Sequence, residues 1–371
     1  MSLRRRPPSL TPLLLALLAG CPEATAPEGR DAETGLDAGA VSDVPSLDGG
    51  EGPPDAGPSE SLEHVDLLWV VDPSSSVSGA ELQLSSYLEV LTTGLTGRVD
   101  EIHAGVITAD LGAFGFPVSG CSATGDDGVL RQAGNTSLGG CSMNSPPYLR
   151  LVPSEVSEED RAAAIASFAF DLGCIATGAS GCGFEQPLEA ALKALTPTQA
   201  QPWTASSFSP RAFSVGTGHG SNPSTNAAAV GGRPFLHDDA VLVVVFLTDE
   251  DDCSAADGDV FNPFSSTYSS RLGLRCAEHP DALHPISRYE EALLELRRQP
   301  GQLVVQIVAG IPIDLSPAAS AVALRTVLDD GRMTVQLDPT GARVLPVCTG
   351  AGGGLAQPAR RLVGVAERLE L

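Results

Sequence analysis

The chain has 371 residues and carries 46 acidic against 22 basic side chains, which gives a formal net charge of −24. A surface with this charge is repelled by nucleic-acid phosphates and by anionic lipid headgroups, so both are excluded as binding partners. The chain also contains 40 Gly and 29 Pro residues, which indicates long loops or tethers around a globular part.

The first 21 residues have the order of an export signal. Arginines at positions 4–6 precede an apolar run at 13–19, which is too short to span a bilayer. The run leads into Leu18-Ala19-Gly20-Cys21, which resembles the lipidation site of a bacterial lipoprotein. We therefore expect Cys21 to be acylated and the protein to be exported and held in the cell envelope, at the outer membrane or cell surface, by lipid alone. The alternative is an ordinary cleaved signal with a chance cysteine.

Residues 22–60 predict a disordered tether. The segment consists mainly of Pro, Gly, Ala, Ser, Asp and Glu, with almost no large apolar side chain to bury. Its charges and prolines would keep it extended, so it would hold a folded domain away from the membrane. The remaining residues, 61–371, are expected to form that domain.

From residue 61 onward, short apolar strands alternate with helical patterns. The predicted strands lie at 67–71, 102–108, 241–247 and 303–311, and the predicted helices lie at 79–95, 158–170, 185–195, 286–298 and 358–369. This alternation predicts an α/β, Rossmann-like fold in which helices cover both faces of a mostly parallel central sheet. Long insertions rich in Gly, Ser and Pro interrupt the pattern at 111–150, 196–238 and 254–283.

Seven cysteines remain after Cys21, and an oxidising compartment would pair them. Pairing between sequence neighbours would join Cys121 to Cys141, Cys174 to Cys182 and Cys253 to Cys276, and other pairings stay open. Cys348 has no neighbour left to pair with. The spacings lack C-x-x-C pairs, which argues against a zinc site formed by these cysteines.

Polar side chains follow two of the predicted strands, at the position where open α/β sheets bind ligands. The first strand runs directly into Asp72-Pro73-Ser74-Ser75-Ser76, and the strand at 241–247 runs into Thr248 and Asp249. One carboxylate and two hydroxyls at alternating positions can face a small hard cation, which the second carboxylate can support through water. Oxygen ligands of this kind suit Mg²⁺, with Ca²⁺ and Mn²⁺ as alternatives. The competing interpretation is that these residues only cap a helix.

With these motifs in this order, the sequence resembles the von Willebrand factor A-type (integrin I-like) domain over residues 64–312. The resemblance rests on the D-x-S-x-S motif after an apolar strand and on segments 105–108, 247–249 and 304–310. It implies a metal-ion-dependent adhesion site, in which a partner's carboxylate completes the coordination of the bound cation. The metal ligands implied by the resemblance are Asp72, Ser74, Ser76 and Asp249.

The sequence departs from that family in the loop at 177–186. The family supplies a threonine immediately before a helix there, and no threonine occupies that position here. Either Thr177 or Ser180 substitutes for it, or the site is incomplete. The segments at 181–186 and 249–254 are similar to those of a disulfide-containing subgroup of these domains in bacterial lipoproteins.

The rest of the sequence favours binding over catalysis. Glu250, Asp251 and Asp252 predict a solvated acidic loop, with a second Ca²⁺ site as the alternative. Metalloprotease, P-loop and nucleophile-elbow motifs are absent, and the six scattered histidines are expected to be surface or core residues. We therefore expect a binding and adhesion module, not an enzyme, which engages a protein or glycan partner at the cell envelope. The alternatives are a structural or envelope-assembly lipoprotein with an unused metal site and a hydrolase with a site hidden in an insertion.

Overall fold

A computed structural model describes residues 62–74, 92–96, 98–197, 218–220, 223–237, 239–297, 301–316, 318, 320–349 and 354–369. The predicted signal peptide with Cys21, the predicted tether, Ser76 and most of the predicted helix at 79–95 lie outside these residues. Within the described part of the chain, no helix is long and apolar enough to cross a membrane.

A five-stranded sheet forms the centre of the described structure. Its strands are β1 (Leu62–Val71), β2 (Val99–Thr108), β3 (Leu149–Leu151), β4 (Val241–Leu247) and β5 (Leu303–Val308), and their spatial order is β3-β2-β1-β4-β5. The four longer strands are parallel, whereas the short edge strand β3 is antiparallel to β2. The predicted mostly parallel sheet is therefore confirmed, and the carboxyl ends of its four long strands lie along one edge.

Helices surround this sheet. The longer ones are α1 (Arg161–Ala176), α2 (Pro187–Leu195), α3 (Ile286–Glu295), α4 (Ala321–Asp329) and α5 (Arg360–Leu369). Residues 92–96 are also helical, and Arg275–Glu278 forms a single helical turn. A small antiparallel ladder joins β6 (Cys348–Thr349) to β7 (Leu355–Ala356).

The alternation of side chains along β1 explains how both faces of the sheet are covered. Leu68 and Val70 pack in one apolar cluster with side chains of α2, α3 and α5. Leu67 and Trp69 point the other way and pack in a second cluster with side chains of α1. A strand that is buried on both faces needs apolar residues at every position, and this requirement accounts for the almost unbroken apolar run that follows Asp66.

The predicted elements that lie among the described residues are present, but several have different ends. β1 begins at Leu62, five residues before its predicted start, and β5 ends at Val308, three residues before its predicted end. α1 continues past its predicted end at residue 170 to Ala176, because Leu172 and Ile175 extend its buried face. The sequence does not predict β3, since three residues are too few to show a period. It also does not predict α4, which buries only Leu324 and Val327.

Six cysteines form three disulfide bonds, which are Cys121–Cys182, Cys141–Cys174 and Cys253–Cys276. Only the last of the neighbour pairings is confirmed, and the other two are wrong. The insertion at 111–150 folds back onto α1 and onto the loop before α2, so Cys141 meets α1 and Cys121 meets the loop. Cys348 is disulfide-bonded as well.

Candidate metal centre at the carboxyl ends of the strands

Asp72 is the first residue after β1, and it is buried at the carboxyl edge of the sheet. Its backbone N–H donates to the carbonyl of Leu247 (2.9 Å), so it continues the β1–β4 ladder by one residue. Its Oδ2 accepts a hydrogen bond from the hydroxyl of Thr248 (2.7 Å), and its Oδ1 accepts one from the N–H of Ser74 (2.7 Å). These bonds fix the Asp72 carboxylate between the two strand ends.

Asp249 and Glu250 follow β4 at the same edge, and both are partly exposed. The carbonyl of Asp249 accepts a hydrogen bond from the N–H of Gln357 (2.7 Å), and the N–H of Glu250 donates to the hydroxyl of Thr248 (3.0 Å). Burial and the charges of Asp72 and Asp249 raise the pKa of Glu250 to about 8. The predicted residues Asp72, Ser74 and Asp249 thus lie at one edge, together with Glu250.

A further carboxylate, Glu185, comes from the loop before α2 that lacks the expected threonine. Glu185 is 1% exposed, and no N–H or O–H group of the described residues donates to either of its carboxylate oxygens. Burial and the charges of Asp72 and Glu250 raise its pKa well above the ordinary value, and its carboxyl lies within hydrogen-bonding reach of that of Asp72. A buried carboxylate without a partner is costly unless a proton or a cation accompanies it.

Backbone contacts place Glu185 beside the end of β1. Glu185 forms an isolated antiparallel bridge with Asp110, and its carbonyl accepts a hydrogen bond from the N–H of Cys253 (2.7 Å). The loop passes so close to its neighbours that a Cβ atom at Gly181 would lie 2.8 Å from Pro73 and 2.6 Å from Asp110. Only glycine allows this approach, so Gly181 helps to position the acid.

Disulfide bonds hold the two loops that carry these acids. Cys182 lies in the Glu185 loop and bonds to Cys121, and Cys253 follows the acidic stretch after β4 and bonds to Cys276. Asp110 also holds the first loop, because its Oδ2 accepts a hydrogen bond from the N–H of Cys182 (3.0 Å). The cluster therefore depends on the folded insertions as well as on the sheet.

The two residues expected to replace the missing threonine have other environments. The hydroxyl of Thr177 donates to the carbonyl of Gly173 (2.9 Å) at the end of α1, and Ser180 is exposed to solvent. Glu185 is the residue of this loop that faces Asp72, and the sequence analysis missed it by considering hydroxyls alone. Its signal was an acid at the first residue of the predicted helix at 185–195.

Asp251 and Asp252 do not form a solvated loop, and that prediction was wrong. Oδ1 of Asp252 accepts the N–H of Leu188 (3.0 Å) in the first turn of α2, and its Oδ2 accepts the guanidinium of Arg361 (3.0 Å). Oδ1 of Asp251 accepts the backbone N–H of Arg361 (2.9 Å) at the start of α5, and burial raises the pKa of Asp251 to about 7. The last two acids of the stretch thus attach α2 and α5 to the sheet edge.

The remaining acids form a cluster that could hold a hard divalent cation. The charges of Asp72 and Glu250 raise the pKa of Glu185, and those of Asp72 and Asp249 raise the pKa of Glu250, so these acids repel one another. A bound Mg²⁺ or Ca²⁺ would replace this repulsion by attraction, since both ions prefer oxygen ligands. The capping interpretation for Asp72 stays a prediction, because the segment after Ser74 lies outside the described residues.

A second group of potential metal ligands lies towards the other end of β1. Asp66, His103 and His237 each offer one ligand atom, and these atoms lie within 4.8 Å of one another. Such a buried Asp/His/His group could hold a metal ion. The histidines were predicted to be surface or core residues, and nothing in the sequence links His103 to His237. Asp66, which directly precedes the predicted strand at 67–71, is the one local signal of this group.

No protein-family model matches this sequence, and no curated protein matches it either. The functional assignment therefore rests on the geometry of the two groups of side chains.

Proposed function

We propose that the protein is an exported, lipid-anchored binding module of the von Willebrand factor A type, which engages a protein or glycan partner through a divalent cation. Asp72, Ser74, Ser76 and Asp249 would hold the cation, with Glu185 in place of the family's threonine. The observation that carries the proposal is the buried Glu185 carboxyl, which lies beside Asp72 and accepts no hydrogen bond from an N–H or O–H group of the described residues.

The carboxylates favour a cation that binds oxygen. A glutamate in place of a threonine adds one negative charge to the cluster, so it should strengthen the attraction for any divalent cation. Mg²⁺ is the first candidate, and Ca²⁺ is its main competitor because it accepts more carboxylates in less regular geometry. Mn²⁺ is the third candidate, and it also provides a magnetic probe.

The position of the cluster suits contact with a partner. Ser74, Asp249 and Glu250 are partly exposed, so the cluster reaches the protein surface beside the buried Asp72. A cation bound there could take one more oxygen ligand, from an acidic side chain of a protein or a hydroxyl group of a glycan. Because several carboxylates would already offset the charge of the cation, we expect each such contact to be weak and the partner surface to add further contacts.

Calorimetry with Mg²⁺, Ca²⁺ and Mn²⁺ tests the cation site. The substitution Glu185→Gln keeps the size of the side chain and removes its charge, so we expect it to weaken cation binding at least about tenfold. Glu291→Gln, on the exposed side of α3, is the matched control and should bind like the wild type. If the wild type binds none of the three cations, a structural or envelope-assembly lipoprotein becomes the better account.

Water relaxation with bound Mn²⁺ tests the open coordination position. A Mn²⁺ ion that keeps a water ligand accelerates the relaxation of bulk water protons. Glutarate, as a model acid, or a simple sugar, as a model glycan, should reduce this effect by replacing the water. Unchanged relaxation with both probes at high concentration would show that the cation is enclosed, which would contradict a role in partner binding.

Mass spectrometry of the non-reduced protein, purified from its membrane fraction, tests the lipid anchor. The proposal predicts an acylated N-terminal peptide that begins at Cys21. An acylated Cys21 has no thiol left for a disulfide bond, so the proposal requires Cys348 to pair with a cysteine of another molecule. A peptide that joins Cys21 to Cys348 would rule out the anchor.

A further inference from the structure

Three potential metal ligands meet near the amino end of β1. Asp66 in β1 pairs with His103 in the neighbouring strand β2, and His237 lies just before β4, the strand on the other side of β1. The backbone N–H of His237 donates to Asp66 Oδ2 (2.7 Å). Asp66 and His103 are 0% exposed, and the side chain of His237 is 10% exposed. The sheet thus gathers residues that are far apart in the sequence.

The distances between these side chains are close to those of a metal site. Asp66 Oδ1 lies 2.9 Å from His237 Nδ1 and 3.8 Å from His103 Nδ1, and the two imidazole centroids are 4.2 Å apart. In a tetrahedral zinc site with bonds of about 2.0–2.1 Å, the ligand atoms lie about 3–4 Å from one another. Small side-chain movements would therefore let all three ligands reach one ion.

The hydrogen-bonding environment of His103 calls for a cation. Its Nδ1 lies 2.9 Å from the carbonyl oxygen of Phe235, and its Nε2 lies 3.1 Å from Oε1 of Glu101. Both neighbours are acceptors, whereas a neutral imidazole carries only one proton. Either the ring holds a second proton or a metal ion occupies one nitrogen, and burial favours the neutral ring by lowering the pKa of His103.

One ring nitrogen of His237 also lacks a hydrogen-bond partner among the described residues. Its Nδ1 contacts Asp66 Oδ1, and its Nε2 is buried with no hydrogen-bond partner among the described residues. If Nδ1 carries the proton, Nε2 is a bare lone pair inside the protein, which is costly. Both histidines therefore have a ring nitrogen that hydrogen bonds within the described structure leave poorly matched.

The surrounding residues resemble the outer shell of a metal site. Metal-binding histidines usually donate their second ring N–H to a carboxylate, and Glu101 stands in that position beside His103. Arg150 Nε donates to the same Glu101 oxygen (2.5 Å). Arg297 donates to Asp66 Oδ2 (3.3 Å), which leaves Oδ1 directed at the two imidazoles. These arginines position the carboxylates, and their positive charge also limits how tightly a dication can bind.

We propose that Asp66, His103 and His237 form a second metal site, which takes a transition-metal ion of the Zn²⁺ class through one carboxylate oxygen and one nitrogen from each imidazole. The fourth position would go to water or to the carbonyl oxygen of Phe235. Imidazole suits Zn²⁺, Cu²⁺ or Ni²⁺ and not Mg²⁺ or Ca²⁺. The site is therefore chemically distinct from the carboxylate cluster, and neither proposal depends on the other.

Metal analysis of the full protein, purified without a histidine tag, tests this site. Because the ligands are buried, the protein is analysed as isolated and again after unfolding with chelator under non-reducing conditions and refolding with Zn²⁺. We expect stoichiometric Zn²⁺ that survives dialysis, and a Co²⁺-substituted form whose X-ray absorption shows imidazole ligands. Absence of retained metal in both preparations of the wild type would overturn the proposal.

Substitution of single histidines shows which side chains hold the metal. His103→Asn and His237→Asn keep a hydrogen-bonding side chain and should each weaken Zn²⁺ binding at least about tenfold. His219→Asn is the matched control, because His219 contacts Asp127 (3.0 Å) elsewhere in the fold. Should a variant fail to fold, nitrogen-15 NMR of the wild type shows instead how many ring protons His103 carries. Two ring protons on His103 in the Zn²⁺-treated protein would overturn the proposal, and loss of one ring proton would support it.

Discussion

Buried carboxylates have opposite electrostatic environments at the two ends of β1. At the carboxyl end, burial and the charges of Asp72 and Glu250 raise the pKa of Glu185, and burial and the charges of Asp72 and Asp249 raise that of Glu250. At the amino end, burial alone would raise the pKa of Glu101, but hydrogen bonds from Arg150 and His103 lower it. Asp66 likewise contacts Arg297 and two histidines. Asp72 lies six positions after Asp66, about 20 Å along a strand, so one strand supports two different ways of accommodating buried acids.

This difference teaches what each end requires for stability. The carboxyl end concentrates negative charge and gains stability when a cation or protons arrive from solution. The amino end contains arginines that already compensate its acids, so any metal there must rely on donation from imidazole nitrogen. Hence removal of one carboxylate charge should change the free energy of unfolding in opposite directions at the two ends of β1, and this contrast can be measured.

The largest expected effect comes from neutralising one aspartate at each end of β1 and comparing the stability of the two variants. In chelator, Asp66→Asn removes the charge that the buried Arg297 side chain contacts, so it should lower the free energy of unfolding by about 3–5 kcal/mol. Asp72→Asn should leave stability unchanged or raise it, because it relieves repulsion with Glu185. Urea unfolding measures both variants, and equal losses would refute the contrast.

A second effect tests how far the carboxyl end depends on its disulfide bonds. Replacing both Cys121 and Cys182 by Ser opens the bond that closes the Glu185 loop, which should cost about 2–4 kcal/mol of unfolding free energy. Cation affinity should fall as well, whereas Zn²⁺ binding at the amino end should persist. Replacing Cys141 and Cys174 by Ser is the control, since that bond ties the insertion to α1. If the two double variants have the same cation affinity and differ only in stability, the Cys121–Cys182 bond does not position the Glu185 loop for cation binding.

The carboxyl end should also produce a pH dependence of stability. Burial and neighbouring charges raise the pKa of Glu250 from 4.5 to about 8, and that of Glu185 rises too. The folded protein thus binds protons that the unfolded chain releases, so stability in chelator should fall as pH rises from about 4.5 to about 8, by about 1–2 kcal/mol after screening. Saturating Mg²⁺ or Ca²⁺ should flatten the curve, and so should Glu185→Gln. A flat curve for the wild type in chelator would count against the coupled cluster.

The smallest expected effect concerns Thr248, which links the two strand ends. Thr248→Val removes the hydroxyl that donates to Asp72 and accepts from the N–H of Glu250. We expect a loss of about 1 kcal/mol in unfolding free energy and roughly tenfold weaker cation affinity, as for other residues that orient a metal ligand. Calorimetry and urea unfolding measure the two quantities. An unchanged affinity would mean that Asp72 keeps its orientation without this hydroxyl.

The parts of the fold that the sequence predicts are those with a strong local pattern. β1 and β4 are buried on both faces, so their apolar runs identify them without any tertiary information. β3 is found only through its pairing with β2, and the Cys121–Cys182 bond only through the path of the insertion. These features depend on contacts between distant segments, which leave little local trace.

The same division applies to the candidate sites. Asp72 directly follows one predicted strand and Asp249 lies two residues after another, so topology alone places them at one edge. Glu185 enters the cluster because its loop approaches through Gly181, and the sequence gives no measure of that approach. Asp66, His103 and His237 are brought together by the register between β1 and β2 and by the position of the segment before β4. Neither can be predicted from local sequence patterns.

The disulfide bond between Cys121 and Cys182 has a consequence for the cellular compartment in which the protein can bind a cation. Disulfides persist in oxidising compartments and are rare in the reducing cytosol. A newly made chain with reduced thiols would lack the bond that closes the Glu185 loop, so its carboxylates would be less well placed to take up a cation. If the protein is exported as proposed, cation affinity would then appear only after its thiols are oxidised, and the newly made chain would leave cytosolic Mg²⁺ unbound.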